Sequence, residues 1–491
     1  MIMQYSAFGL YMIVMFAIGL HFYFRTDSIS DFVLGGRTLG PIPSAISSVA
    51  SDFSGWLLMG LPAFAMTGGM GAFWIALGLL LGTFANWTFV APKLRQESFD
   101  LDDAVTVPTF LERKLKDPTN FLRVVLSLAI LFFFAFYTAS GFVAGGKLFE
   151  VLFGLDYHIA ITVGALVVLS YTFLGGYLAV SWTDVIQGML MIAALIFIPV
   201  VAIQFMGGWD ETFATLKELS PHQLGFFHGP VNKVVEGSLN INVETAGKAI
   251  SILTIVSLMA WGLGYFGQPH ILVRMMGINS VTEVKKARWI ATGWSFIAMS
   301  MALLVGFIGV VYFQDHQIAD AEYVFILMVQ GLTHPLVGGL LLAAIMAAIM
   351  STADSQLLVA SSALTSDLVR DKISEKQSLQ LGRLTVVVVA LAALFLAWDE
   401  NSKVLDIVSY AWAGLGSSIG AVMLVSLTWP KATYQGGIAG VLVGAFVTVG
   451  WNYLSGGWMN MFDLYELLPA FVLAALAVFV VSSMTQPKEV A

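Results

Sequence analysis

The chain has no cysteine in 491 residues, and only 11% of them are charged. The first absence excludes disulfides and every cysteine-ligated metal site. The second excludes a water-soluble globule of this length, whose surface would carry roughly 25% charge. Histidine is scarce: the seven present are scattered, with no HxxxH pair and no histidine–carboxylate cluster. No nucleophile–base constellation stands out, so nothing points to an enzyme. The first 24 residues lack a basic leader and a small-residue cleavage site, so they read as a retained helix. Between the apolar runs there is no room for a catalytic or sensor domain, and no re-entrant filter of the channel type. Nothing suggests nucleic acid or an obligatory protein as a partner. The net charge of −8 says little, because the placement of Lys and Arg carries the information.

What the chain has in excess is apolar sequence: 58% of its residues are hydrophobic. They fall in runs of about 20, the length that crosses a hydrocarbon core. The fold class is therefore an all-α, polytopic membrane protein. About thirteen spans are expected, at 4–24, 42–65, 68–92, 121–150, 157–174, 179–206, 247–273, 284–313, 334–366, 380–398, 402–428, 434–454 and 463–484. Most basic residues follow odd-numbered spans: Arg25 and Arg37; Lys93, Arg95, Arg113, Lys114 and Lys116; Arg274, Lys285, Lys286 and Arg288; Arg370, Lys372, Lys376 and Arg383; Lys431 and Lys488. Lys147, Lys217, Lys233, Lys248 and Lys403 follow even ones, among many carboxylates. The positive-inside rule then puts the N-terminus outside and the C-terminus in the cytoplasm. The long outer loop, about 207–246, has room for short helices. In the inner segment 94–120, Thr109 and Glu112 match a capping box and predict a short surface helix.

Three polar clusters lie where lipid should be, and intramembrane polar groups default to functional sites. The first is "SDFSGWLLMG", residues 51–60. Gly55 and Gly60 weaken the helix, while Ser and Asp side chains compete for its backbone. A break there frees carbonyls that must line a cavity or bind something. Close helix packing by small residues is the alternative for the glycines. Asp52 needs a cation or a donor. The second cluster is Ser351, Thr352, Asp354 and Ser355, oxygen ligands suited to a hard cation. A lone Ser or Thr there would more commonly bond its own helix. The third is "AWGLGYFGQPHILVR", residues 260–274, interrupted by Gly262, Gly264, Gly267 and Pro269. There Trp261 and Tyr265, at i and i+4, predict one aromatic face lining a cavity. Spans two and seven share this character and run in opposite directions, the pattern of paired inverted repeats around a central transport site. The segments are then 1–40, an extra helix; 41–207, the first repeat; 208–246, the outer loop; 247–428, the second repeat; and 429–491, two final helices and a tail.

"LGGRTLGP", "SDFSGWLLMGLP", "FLGGYLAVSWTDVIQG", "WGLGYFGQPHILVR" and "MSTADSQLLVASSALTSDL" resemble the sodium/solute symporter family, in particular its proline branch. The likeness covers about residues 5–485. It implies a LeuT-like 5+5 inverted-repeat core in the bacterial cell (inner) membrane, with sodium as co-transported ion and L-proline as solute. Another amino acid, a vitamin or a sugar on the same fold is the alternative. The resemblance places sodium against the carbonyls of Ala50, Phe53 and Ala348 and the hydroxyls of Ser351 and Thr352. It gives Asp52 and Arg37 supporting roles in ion binding and coupling. For the solute it implies Ser54, Trp56, Tyr137, Trp261, Tyr265 and Pro269. Asp354 departs from the proline branch; with Asp184, Ser351 and Ser355 it matches a second cation site of some relatives.

Overall fold

The computed structural model describes residues 2–23, 34–172, 176–230, 232–235, 237–241, 247–369, 374–454 and 464–486. Arg25, Arg370, Lys372 and Lys488, which bear on orientation, lie outside them, as do residues 173–175 at the start of "FLGGYLAVSWTDVIQG" and several positions of the 207–246 loop. The chain is a helical, multi-pass membrane protein. Among the described residues eight helices are long and apolar enough to cross a bilayer, or nine if one bent pair counts as a span.

In chain order the helices are α1 (Ile2–Tyr23), α2 (Pro41–Asp52), α3 (Trp56–Gly68), α4 (Gly71–Asp100), α5 (Val107–Lys114), α6 (Phe121–Phe153), α7 (Tyr157–Thr172), α8 (Tyr177–Phe205) and α9 (Trp209–Leu219). The second half holds α10 (Ile252–Gly267), α11 (Pro269–Gly277), α12 (Val281–Tyr312), α13 (Ala321–Leu332), α14 (Pro335–Val369), α15 (Glu375–Leu396), α16 (Val404–Thr428), α17 (Tyr434–Trp451) and α18 (Leu467–Thr485).

The loop after α9 departs from the all-α expectation. It folds into two small antiparallel pairs, His228–Gly229 with Lys248–Ala249 and Lys233–Val235 with Ser238–Asn240. A helix not foreseen in the sequence, α13, precedes α14. The short helix α5 exists, but its cap is Thr106, whose hydroxyl accepts the Thr109 amide at 3.2 Å. Thr109 is thus three residues inside the cap, and Glu112 pairs with Arg123 at 3.0 Å instead of closing a capping box. Pro108 explains the register: an imide nitrogen is harmless only in the first turn.

The break between α2 and α3 bends the chain by 63°. Phe53 leaves helical geometry at φ −80°, ψ 77°, and the Ser54 amide then donates to the Asp52 carbonyl at 2.9 Å. In a continuous helix that amide would have bonded Ala50. A second break falls at Gln268, with φ −84° and ψ 104°, between α10 and α11. Before it, Ala260–Gly267 winds as a 3₁₀-helix, long for that form and a mark of a constrained segment. Glycine faces confine it on two sides. A Cβ on Gly78 of α4 would stand 2.7 Å from the Met259 Cα, and one on Gly416 of α16 would stand 2.7 Å from the Gly264 Cα. The packing reading of Gly55 and Gly60 holds alongside the helix break, since a Cβ on them would stand 2.4 Å from the Ala144 Cβ and 3.1 Å from the Leu405 Cβ.

Candidate functional site

The carbonyl that the first break releases is caught by another helix. Ser351 Oγ on α14 donates to the Ala50 carbonyl at 2.8 Å and to its own Ala348 carbonyl at 3.1 Å. Ala348, Ser351 and Thr352 stand at i, i+3 and i+4, so they share the face turned to α2. Thr352 Oγ1 is buried and has no hydrogen-bond partner among the described residues. Two carbonyls and two hydroxyls, one of them orphaned, suit a hard cation that prefers neutral oxygen. Phe53, at the break itself, is fully buried and stacks its ring on Trp294, centroids 5.4 Å apart.

Beside this cluster lies an enclosed aromatic site. Trp56, Tyr137, Trp261 and Tyr265 are each under 5% exposed. Asp52 organises Trp56, Tyr137 and Tyr265. Its carbonyl accepts from Trp56 Nε1 at 3.1 Å and Tyr137 OH at 3.1 Å, and its carboxylate accepts from Tyr265 OH. The other carboxylate oxygen, Oδ1, is buried without a partner among the described residues, as is Ser54 Oγ. Trp261 lies 6.3 Å from the Trp56 ring and stacks on Tyr465 at 5.1 Å. Tyr265 meets Trp412 edge-on at 5.0 Å. The single aromatic face expected from i, i+4 spacing is corrected here. In a 3₁₀-helix residues i and i+3 eclipse, so Trp261 and Tyr265 diverge and reach different neighbours. Pro269 is buried at the start of α11, and opens that half-helix where its missing N–H is harmless.

The residues of the expected second cation site take different hydrogen-bond partners. Asp184 Oδ2 accepts from Ser47 Oγ at 2.6 Å and from Arg274 at 3.3 Å. The Arg274 guanidinium also donates to Ser355 Oγ at 2.5 Å, to Ser47 Oγ at 3.1 Å and to the His270 carbonyl at 2.9 Å. Asp354 instead accepts from Thr172 on α7 at 2.6 Å. Ser351, Asp354 and Ser355 thus face three different helices. A fixed cation, Arg274, already joins Asp184 to Ser355, and both charged partners are fully buried.

Arg37 fastens the basic end of the bundle. It sits at φ +55° after Gly35 and Gly36, an unfavourable conformation for a residue with a Cβ. Four contacts offset it: Asp103 at 2.7 Å, Ser98 at 3.0 Å and the carbonyls of Met276 at 2.7 Å and Ala104 at 3.0 Å. Arg95 adds a bond to the Ile278 carbonyl at 2.5 Å. Both arginines take carbonyls where α11 ends, where cations are favoured.

Three participants escaped the sequence reading. Arg274 read as an inner-loop marker, because its partner Asp184 is 90 residues away. Lys147 read as an outer-loop charge, yet it is 2% exposed and bonded to Asp320 and Glu322. His270 is buried against the Phe134 and Tyr137 rings, with neither ring nitrogen partnered among the described residues. Its position next to Pro269 in the quoted motif was the available signal.

A family model described as "Sodium:solute symporter family" matches residues 32–444. The high-affinity proline transporter PutP of Bacillus subtilis is 44% identical over 478 residues, covering 96% of each chain. The sodium/proline symporter of Staphylococcus aureus is 41% identical over 499 residues, covering 98% of this chain and 93% of that one. Among solved structures, a substrate-bound, outward-open Na+-coupled sialic acid symporter superposes with a TM-score of 0.78 at 19% identity. The match covers 99% and 98% of the two chains. Mhp1, of the nucleobase-cation-symport-1 family, gives 0.55 at 13% identity, covering 94% and 97%.

Proposed function

The chain belongs to the sodium:solute symporter family, and from that membership we propose that it couples inward sodium movement to uptake of L-proline by alternating access. The observation that carries the mechanism is the Ser351 hydroxyl spanning Ala50 on the broken helix and Ala348 on α14. Sodium entering there takes the two carbonyls as ligands. Ser351 then turns its oxygen to the ion, and Thr352 finds a partner. Phe53 completes the set through its carbonyl. The ion joins α2 to α14 and fixes the break, which sets Ser54, Trp56 and the Asp52 carbonyl in place. Aromatic walls from Trp56, Tyr137, Trp261 and Tyr265 suit the apolar pyrrolidine ring, while Ser54 and Asp52 serve its charged groups. Proline held beside the fixed break tightens sodium by the same factor that sodium tightens proline. A potential of about 100 mV adds about 2.3 kcal/mol for each charge carried inward.

Release to the inside requires the Arg37 and Arg95 fastenings to let go. The arrangement favours one sodium, because a second ion between Asp184, Asp354, Ser351 and Ser355 needs Arg274 to withdraw. In this reading about thirteen spans cross the membrane: the long helices, the bent pair, and four shorter apolar helices (Met3–Ile18, Tyr157–Ser170, Ile252–Gly267 and Gln380–Leu396). The helix α13 stays at the outer face. Residues 41–207 and 247–428 are the inverted repeats, the N-terminus is outside and the C-terminus cytoplasmic. The test is uptake of labelled proline into proteoliposomes under an imposed sodium gradient, with a panel of unlabelled competitors. Uptake that ignores sodium overturns the coupling; displacement by another amino acid, a vitamin or a sugar in preference to proline overturns the solute.

A further inference from the structure

A groove of about 530 Å³ opens on the membrane-facing side of the bundle between α4, the 3₁₀ segment and α16. Its size falls in the range of ligand sites. Ala85, Phe89, Phe266, Leu424 and Leu427 are among its lining residues, with Lys93 as the charged one. The π-turn Asn86–Val90 in α4 gives the groove its shape. Phe89 is 64% exposed, so the wall faces the bilayer.

One cation, Lys93, lines the groove, and a second, Arg288, bonds one of its lining residues. Lys93 Nζ donates to the Leu427 carbonyl at 3.0 Å, which leaves two of its three N–H donors. Arg288 of α12 donates to Thr88, a groove residue, at 3.3 Å. It also lies over the rings of Phe84 and the exposed Trp289, and its Nε is buried with no partner among the described residues. Both sit at the end of the bundle where Lys and Arg concentrate. The groove runs from that interface towards Phe266, in the constrained segment beside Tyr265.

We propose that this groove binds one anionic phospholipid, its phosphate between Lys93 and Arg288 and an acyl chain along Phe89, Leu424 and Phe266. Basic pockets between helices at an interface select anionic headgroups in this way. A second groove, of about 590 Å³ between α6, α14 and α15, provides the contrast. Leu131, Phe136, Val388 and Phe395 are among its lining residues, and no cation among the described residues lines it, so it takes lipid tails without regard to headgroup.

The test is native mass spectrometry of the purified full chain, delipidated and titrated with phosphatidylglycerol or with phosphatidylcholine of the same chain length. Wild type retains one phosphatidylglycerol in preference to phosphatidylcholine. Lys93→Gln weakens phosphatidylglycerol about fivefold, the equivalent of about 1 kcal/mol per interfacial cation, and leaves phosphatidylcholine unchanged. Arg288→Gln does the same. Leu427→Trp, which fills the groove without touching charge, removes the preference; Val388→Trp in the other groove keeps it. Equal retention of both lipids by wild type overturns the proposal. So does a Lys93→Gln variant with unaltered selectivity, or a loss caused equally by Val388→Trp.

Discussion

Removing Arg274 should damage this protein more than removing Arg274 and Asp184 together. Both side chains are fully buried, with their charges 3.3 Å apart. Arg274 is the cation bonded to Asp184, whose other support is the Ser47 hydroxyl at 2.6 Å. Arg274→Met leaves a buried carboxylate with one neutral donor and also strips Ser355 and the His270 carbonyl of theirs. Breaking one side of a buried pair costs about 3–5 kcal/mol, whereas replacing both partners with well-packed apolar groups is often near neutral. The expected losses are thus about 3–5 kcal/mol for Arg274→Met or Asp184→Leu alone, and well under their sum for the double variant. Asp184→Leu should be the milder single change, because Arg274 keeps Ser47, Ser355 and the His270 carbonyl. Denaturant titration of the purified protein in detergent, followed by tryptophan fluorescence, measures all four members of the cycle. The same variants report on the ion. If Arg274 stands in place of a second cation, Arg274→Met should be stabilised by added sodium more than wild type, through ligand linkage. A double variant as unstable as the sum of the singles refutes the pairing. A wild-type sodium dependence of uptake with a Hill slope near two refutes the one-ion reading.

Ser351→Ala removes one oxygen from the α2–α14 junction and orphans the Ala50 carbonyl. A neutral hydrogen-bonding group contributes about 0.5–1.5 kcal/mol, so half-saturating sodium should rise about two- to twelvefold in uptake assays. An unchanged sodium curve would remove Ser351 from the site. Gly264→Ala drives a methyl into the Trp412 indole, whose Nε1 bonds the Trp261 carbonyl at 2.8 Å. Overpacking of about 1–3 kcal/mol should weaken equilibrium proline binding about 5- to 150-fold; wild-type affinity would contradict the packing described for this segment. Thr106→Ala deletes the α5 cap and a bond to Asp367 at 2.6 Å, so it should lower the melting temperature by an amount set by about 1–2 kcal/mol. Thr109→Ala loses only its own bond to Asp367, at 2.7 Å, and should cost less. The reverse order would restore Thr109 as the cap.

Residues 51–60 and 260–274 announced themselves in the sequence because polar and helix-weakening residues inside apolar runs demand a reason. The two breaks, the burial of Asp52 and the oxygen-rich face of α14 follow from that pattern and from chain-local physics: an amide that turns back at Ser54 must release a carbonyl at Ala50. The family was legible for the same reason, since its motifs are local strings. Contacts across long stretches of chain were not. Nothing near Arg274 names Asp184 as its partner, and nothing near Lys147 shows that Glu322 buries it. Spacing also misjudged two local features, because tertiary packing changed the local geometry. Glycine faces on α4 and α16 squeeze Ala260–Gly267 into a 3₁₀-helix and turn Trp261 away from Tyr265, and Pro108 moves the α5 cap to Thr106. Long apolar runs marked a helical membrane protein, and polar, glycine and proline residues within them marked where two helices break. Only the folded chain decided which freed carbonyl meets which hydroxyl and which charge neutralises which, because those choices depend on helices brought together from distant parts of the chain.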